Sequence, residues 1–191
     1  AKAQTTNKID VWDFGAVQET NETLYTNHIQ AEDWNNCESV GTNGVFAAVN
    51  GSLDANFGDV TISYTANDRL YINDLACTKN YGTWGSTILT FPDGYTSDGV
   101  YYCNGSGGSG RRYVKIDNVK AGDKITAYVL AHSNADNMHF KYLGSDAVQD
   151  DTTMLVSKEP TKLEFVAEHD GSYQIYADTG MKHAFYRVTR T

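Results

Sequence analysis

Apolar and polar positions alternate along most of this chain in short runs separated by turn residues, at roughly the 8–12 residue spacing of β-sandwiches and barrels. Lys124 to His132 is the clearest run. Ile125, Ala127, Val129 and Ala131 fall on one face and Thr126, Tyr128, Leu130 and His132 on the other, so both faces are partly covered, as for a central strand of two packed sheets. Val60, Ile62 and Tyr64 alternate with Thr61 and Ser63, the pattern of a half-buried strand. Val45 to Val49, Leu70 to Ile72, Met138 to Tyr142, Met154 to Val156, Thr161 to Ala167, Gly171 to Ala177 and Ala184 to Thr189 complete the series. Leu163 and Phe165 are core candidates. Asp117-Asn118, Ala121-Gly122-Asp123, His169-Asp170-Gly171 and Thr179-Gly180 divide the runs with residues that favour turns.

The N-terminal part is less regular. Residues 1–8 are polar and are expected to be disordered. The run IDVWDFGA, Ile9 to Ala16, reads as an edge strand that buries Val11 or Trp12 and exposes Asp13. One short helix is expected over Leu24 to Glu38, where Leu24, His28, Ile29 and Trp34 share a face and Thr23 is placed to cap it. The predicted architecture is an all-β, antiparallel two-sheet sandwich, jelly-roll-like, with residues 9–191 as a single domain. No stacked repeat of a β-helix is visible.

Composition narrows the function classes. The 191 residues carry a formal net charge of −9, which disfavours a nucleic-acid partner, because duplex affinity comes from Lys and Arg neutralising phosphates. The acidity is uneven. Residues 1–95 hold 4 Lys/Arg against 12 Asp/Glu, and residues 96–191 hold 11 against 12, so a local basic site is compatible with the global charge. Nothing resembles a membrane span, and the absence of an initiating methionine suggests a processed product or an excised module. Cys37, Cys77 and Cys103 lack zinc-ligand spacing. Either Cys77 and Cys103 form a disulfide or all three are buried thiols. No cofactor is required. Asp146, Asp150 and Asp151 form one acidic cluster and Asp93 with Asp98 another; neither fits a calcium-loop motif, so a structural Ca²⁺ is expected only at a site assembled from distant segments, its ligands unassigned.

The stretch from Phe91 to Ile116 concentrates chemistry in a segment too polar for a core. Tyr95, Tyr101 and Tyr102 supply flat faces, Arg111 and Arg112 supply positive charge, and the intervening glycines supply backbone freedom. It reads as a presented loop on a rigid scaffold. Strand alternation sends neighbouring residues to opposite faces, so one of the tyrosine pair and one of the arginine pair are expected to share a site.

Several phrases are similar to one family: IDVWDFGA at Ile9–Ala16, NDRLY at Asn67–Tyr71, DGYTSDGVYYCNG at Asp93–Gly105, VKAGDKITAY at Val119–Tyr128 and GSYQIYADTGMKHAFYRVTR at Gly171–Arg190. Together they resemble the non-catalytic β-sandwich domains found beside pectate lyase and pectin esterase modules in exported plant-cell-wall-degrading enzymes of gut bacteria. The resemblance implies a secreted or cell-surface carbohydrate-binding module, a monomeric part of a multidomain enzyme, that binds pectin. Sugar recognition needs aromatic faces for pyranose C–H groups and polar groups around them. Trp84, flanked by glycines, with Tyr71, Tyr95, Tyr101 and Tyr102, are the candidate aromatics, whereas Trp12 and Trp34 read as packing residues. Homogalacturonan carries a carboxylate on each sugar, and Arg69, Arg111 and Arg112 are the candidate partners, with Lys115 and Lys141 at the rim. Two other classes compete: a structural or adhesion sandwich that packs against a catalytic domain, and a small polysaccharide lyase or hydrolase. The five histidines form no pairing motif and no G-x-S-x-G elbow exists, which favours a non-enzyme.

Overall fold

Side chains that alternate along a strand give each sheet an apolar face, and two such faces close on one another. The computed structural model describes residues 9–14, 25–29, 45–46, 52–65, 68–71, 89–97, 99–108, 110–132, 134–144, 151–178 and 182–191. These contain β1 (Ile9–Asp13), β2 (Tyr25–Asn27), β3 (Val45–Phe46), β4 (Ser52–Phe57), β5 (Val60–Thr65), β6 (Arg69–Tyr71), β7 (Val100–Cys103), β8 (Tyr113–Val119), β9 (Lys124–Ala131), β10 (Asp136–Tyr142), β11 (Asp151–Val156), β12 (Thr161–Val166), β13 (Gly171–Ala177) and β14 (His183–Arg190). An eight-stranded sheet runs β12-β9-β14-β7-β6-β3, with β1 beside the second half of β14 and β2 beyond it. A six-stranded sheet runs β11-β10-β13-β8-β5-β4. Every pairing is antiparallel except that of β1 with β2. From β8 onward the chain crosses repeatedly between the sheets, so the expected all-β, two-sheet sandwich is present.

The expected N-terminal helix is corrected where it can be compared. Tyr25–Asn27 is a strand, because it finds a parallel partner in Ile9–Val11, and an available ladder outweighs weak helix propensity. His28 and Ile29 follow this strand as irregular chain, and Leu24 and residues 30–38, with Trp34, lie outside the described residues, as do residues 1–8.

Between the sheets lie Trp12, Phe14, Ile62, Tyr101, Val114, Ile116, Val129, Phe140, Phe165, Tyr173 and Phe185, among others. β9 is covered on both sides, as its sequence implies. Its Ile125, Ala127 and Val129 enter this core, while Tyr128 and Leu130 join a second cluster with Phe91, Val100, Tyr102, Ala184 and Tyr186.

One ion pair organises the glycine-rich segment between β7 and β8. Arg112 is 4 % exposed, and its Nε donates to Asp68 Oδ1 at 2.7 Å. The same carboxylate accepts from the Asn104 amide at 2.8 Å and, through its other oxygen, from the Thr65 amide at 2.7 Å. Arg112 adopts a left-handed φ of 53°, a conformation costing about 1–2 kcal/mol, and its amide donates to the Ser63 carbonyl at 3.1 Å. The glycines serve close approach. A Cβ on Gly105 would fall 2.8 Å from Arg112 Nη1, and one on Gly107 would fall 2.8 Å from the Ala177 carbonyl oxygen.

A second arginine ties the chain's two ends to the opposite sheet. Arg190 donates to Asp10 at 3.0 Å and 3.1 Å, to Asp59 at 3.0 Å and to the Asp117 carbonyl at 3.0 Å. It also lies over the Trp12 ring at 5.2 Å, and that ring stacks on His28 at 4.9 Å. Burial pulls the Arg190 pKa down, but the two carboxylates outweigh it and hold the guanidinium above its ordinary value.

Removing one partner of a buried pair strands the other, at about 3–5 kcal/mol. Asp68→Ala is therefore expected to lower the melting temperature by on the order of 10 °C in a calorimetric scan. Gly107→Ala is expected to be destabilising as well, because its obstacle is backbone rather than a movable side chain.

Candidate functional site

The outer face of the eight-stranded sheet carries a site built from the floor upward. β12, β9 and β14 lie side by side in register, which aligns Lys162, Tyr128 and Arg187 in one row and Glu164, Thr126 and Thr189 in the next. Rows across neighbouring strands are about 4.8 Å apart from strand to strand. Arg187 reaches this face through an irregularity in β14. The pairing of Phe185 with Val129 and of Arg187 with Tyr128 leaves Tyr186 as an extra residue, so Tyr186 and Arg187 both belong to the outer face. A bulge of this kind re-aims a side chain that strict alternation would send inward.

Residues 89–97 roof part of this floor as a small hairpin. Ser97 N donates to the Leu89 carbonyl at 3.0 Å, Phe91 N to the Tyr95 carbonyl at 2.7 Å and Gly94 N to the Phe91 carbonyl at 2.9 Å. Phe91 anchors it, meeting Tyr128 and Tyr186 edge to face with centroids at 5.2 Å and 5.4 Å. Tyr95 packs on Tyr128 at 4.9 Å, lies over the Arg187 guanidinium at 4.5 Å and donates its hydroxyl to Asp13 at 2.8 Å. Asp93 accepts from the Tyr128 hydroxyl at 2.7 Å and lies 3.6 Å from Lys162.

The result is an open cleft of about 430 Å³ lined by Asp93, Gly94, Tyr95, Lys124, Thr126, Tyr128, Lys162, Arg187, Thr189 and Thr191, with Ile9 at one end. Its lining brings Lys124, Lys162 and Arg187 together with one carboxylate, Asp93, while Glu164 bridges the two lysines at 3.7 Å and 3.2 Å. Burial pushes the Asp93 carboxyl up, yet the Tyr128 hydroxyl, the Tyr95 amide and Lys162 outweigh it and hold the pKa below its ordinary 3.8. The arrangement offers positive charge, flat ring surface and hydroxyls to a polar, anionic ligand.

Of the residues proposed from sequence, the cleft contains Tyr95. Tyr101 is fully enclosed in the core, where its hydroxyl donates to the Ser63 carbonyl, and burial raises its pKa well above 10.0. Tyr102 points the other way but is covered in the outer cluster, its hydroxyl 3.1 Å from Asn104. Neither ring offers a face to a ligand, because the hairpin covers the side that alternation leaves open. Arg112 is committed to Asp68. Arg111 is exposed and pairs by its backbone with Gly108, away from the cleft. Arg69 and Tyr71 hold backbone places on β6; their side chains, and Trp84 entirely, lie outside the described residues. Lys115 and Lys141 sit on the six-stranded sheet, so the cleft does not gather them. Asp13, expected exposed, is fully buried because Tyr95 roofs it, and both Val11 and Trp12 are buried.

Cys103 is a free, buried thiol whose pKa burial and the Asp68 charge push up; Cys37 and Cys77 lie outside the described residues. For the calcium candidates, Asp93 is engaged as above and Asp151 pairs with His139. Asp98, Asp146 and Asp150 lie outside the described residues, and among those described no group of three or more His, Cys, Asp or Glu gathers to hold a metal.

No family model and no curated protein match the chain. Solved structures similar to part of it include the PliG periplasmic inhibitor of g-type lysozyme from Aeromonas hydrophila, with a TM-score of 0.30, 15% identity, and 46% of this chain and 89% of that one covered. The C-terminal CBM6 of LamC, a marine laminarinase from Zobellia galactanivorans, gives 0.34 and 12%, covering 55% and 86%. The CBM22-1–GH10 modules of Clostridium thermocellum xylanase 10B give 0.33 and 17%, covering 55% and 23%. None of these likenesses bears on what the cleft binds.

Tyr128→Phe removes the hydroxyl that donates to Asp93 while keeping the ring. The Asp93 carboxyl is expected to titrate below 3.8 in the native protein and closer to 3.8 in the variant, read by carbon-detected NMR. Because a depressed carboxyl stabilises only while ionised, this contribution is present above about pH 4 and is lost as pH falls through the folded-state value.

Proposed function

We propose that this domain is a non-catalytic carbohydrate-binding module of an exported enzyme and that it binds acidic plant cell-wall polysaccharide, the homogalacturonan of pectin, in the cleft beneath residues 89–97. Targeting an attached pectinolytic enzyme is the corresponding role. The observation that carries the reading is the conjunction of Lys124, Lys162 and Arg187 with the half-buried ring of Tyr95 in one open cleft floored by Thr126, Tyr128 and Thr189. Its volume of about 430 Å³ lies within the range of small-ligand sites. Uronate carboxylates compete with Asp93 and Glu164 for the exposed ends of Lys124 and Lys162, and sugar C–H groups supply apolar surface for the Tyr95 ring. The reading requires no cofactor.

Affinity gel electrophoresis on polygalacturonan, highly methylated pectin and xyloglucan tests it. Retardation is expected to be strongest on polygalacturonan and to weaken with added salt, since exposed charge pairs are screened within about 8 Å at physiological ionic strength. Lys162→Ala is expected to weaken binding by about tenfold, equivalent to about 1.4 kcal/mol. Equal mobility of the native protein in all three gels overturns the reading, and oligogalacturonides that leave its fluorescence and mobility unchanged favour a structural sandwich instead.

A further inference from the structure

Strand β11 forms one edge of the six-stranded sheet and is weakly embedded. Val156 is its one buried side chain, Met154 is half-buried against the core, and Leu155 is 64 % exposed. An edge strand with so few apolar contacts belongs to the low end of local stability, where a single polar cluster changes the population of opened states.

Such a cluster sits on the outer face of the same sheet. His139, in the middle of β10, has both ring nitrogens on carboxylates. Nδ1 lies 2.8 Å and 2.9 Å from the two oxygens of Asp151, the first residue of β11, and Nε2 meets Asp178, just beyond β13. The ring stacks on Tyr176, its cross-strand neighbour on β13, with centroids 4.8 Å apart and planes at 14°. A neutral imidazole has one N–H and one lone pair, so between two carboxylates it turns the lone pair against an oxygen; only the imidazolium donates at both ends.

The other titratable or charged groups along β10 are Asp136, Lys141 and Tyr142, whose hydroxyl donates to the Asp170 carbonyl. Asp136 is 7 % exposed, accepts from the Asn137 amide through Oδ1 and leaves Oδ2 buried without a partner; burial pushes its carboxyl up. Lys141 lies opposite Asp151 in the β10–β11 register. Burial alone pulls the His139 pKa down, but Asp178 and Asp151 outweigh it and hold it above 6.5.

We propose that His139 is a proton-operated latch: as the imidazolium it ties edge strand β11 to β10 and to the end of β13, and its deprotonation releases β11 while the other strands stay paired. A group raised in the folded state stabilises fully below its unfolded value, and that contribution is lost as pH rises through the folded value. The latch is thus closed below the pH at which His139 titrates, while its two carboxylate partners are ionised, and opens as pH rises through that point. Opening leaves β10 as a new unpaired edge, the kind of surface to which an extended strand adds.

Residue-resolved amide exchange of the native domain, corrected for the intrinsic pH dependence of exchange, tests this alongside NMR titration of the His139 ring. Protection of residues 151–156 is expected to fall several-fold across the His139 titration while β8, β9 and β14 keep theirs. Asp151→Asn removes one of the two carboxylates without changing the strand, and is expected to bring the ring titration towards 6.5 and the loss of protection down in pH with it. His139→Asn is expected to exchange in β11 at the faster rate at every pH. Should that variant not fold, the native and Asp151→Asn profiles decide alone. Protection of β11 that ignores the His139 titration, or a loss shared equally by all strands, overturns the proposal.

Discussion

The buried pair between Arg112 and Asp68 is the constraint on which the middle of the chain depends. It joins the segment before β6 to the segment before β8, and its carboxylate also collects the amides of Asn104 and Thr65. A buried charge is tolerable only when paired and hydrogen-bonded, and here each group supplies what the other needs. The left-handed backbone at Arg112 and the close approach of Gly105 to the guanidinium accompany it, whereas Gly107 packs against the β13 backbone at Ala177. What reads in sequence as a flexible presented loop is a tightly determined connection.

The eight-stranded sheet uses both its faces, and this dual use creates the cleft. One face closes the core against the six-stranded sheet. The other bears a second aromatic cluster under residues 89–97, and the uncovered remainder of that face is where polar side chains collect. Phe91 supplies apolar anchorage for the hairpin, whereas Tyr95 and Asp93 reach beyond it to Asp13, Tyr128 and Lys162. The cleft-lining groups therefore rest on a packed foundation that holds them in place.

The fold was largely legible because period-two alternation and turn chemistry act locally. The run from Lys124 to His132 implied cover on both faces and has it. Tyr25–Asn27 escaped this logic, since its partner β1 lies outside any local window. The site was legible in part. Tyr95 was singled out by its polar setting beside Gly94, but Tyr101, Tyr102 and Arg112 carry the same composition and are enclosed, Tyr101 and Arg112 by contacts with the distant Ser63 and Asp68 and Tyr102 by a cluster that depends on how the neighbouring hairpin folds back. Arg187 was missed for a different reason. Alternation counted from His183 puts it inward, and only the extra residue at Tyr186 turns it to the cleft. Lys124 and Lys162 read as ordinary solvated lysines until β9 and β12 are laid side by side.

Arg190 has a consequence for the order in which the molecule is assembled. The residue it holds, Asp10, is 180 positions away, and the ladder between β1 and β14 spans the same separation. During synthesis β1 emerges long before its antiparallel partner exists, so Trp12 and Val11 wait without their final cover until β14 has left the ribosome. Closing so long a loop adds only about 0.6 kcal/mol per doubling of length, which leaves stability little affected while slowing the search. The six-stranded sheet, whose β4 and β5 are joined by a tight turn at Gly58, has no such wait for its first ladder. The sandwich is thus completed from its last strand, with Arg190 closing the seam between the two sheets.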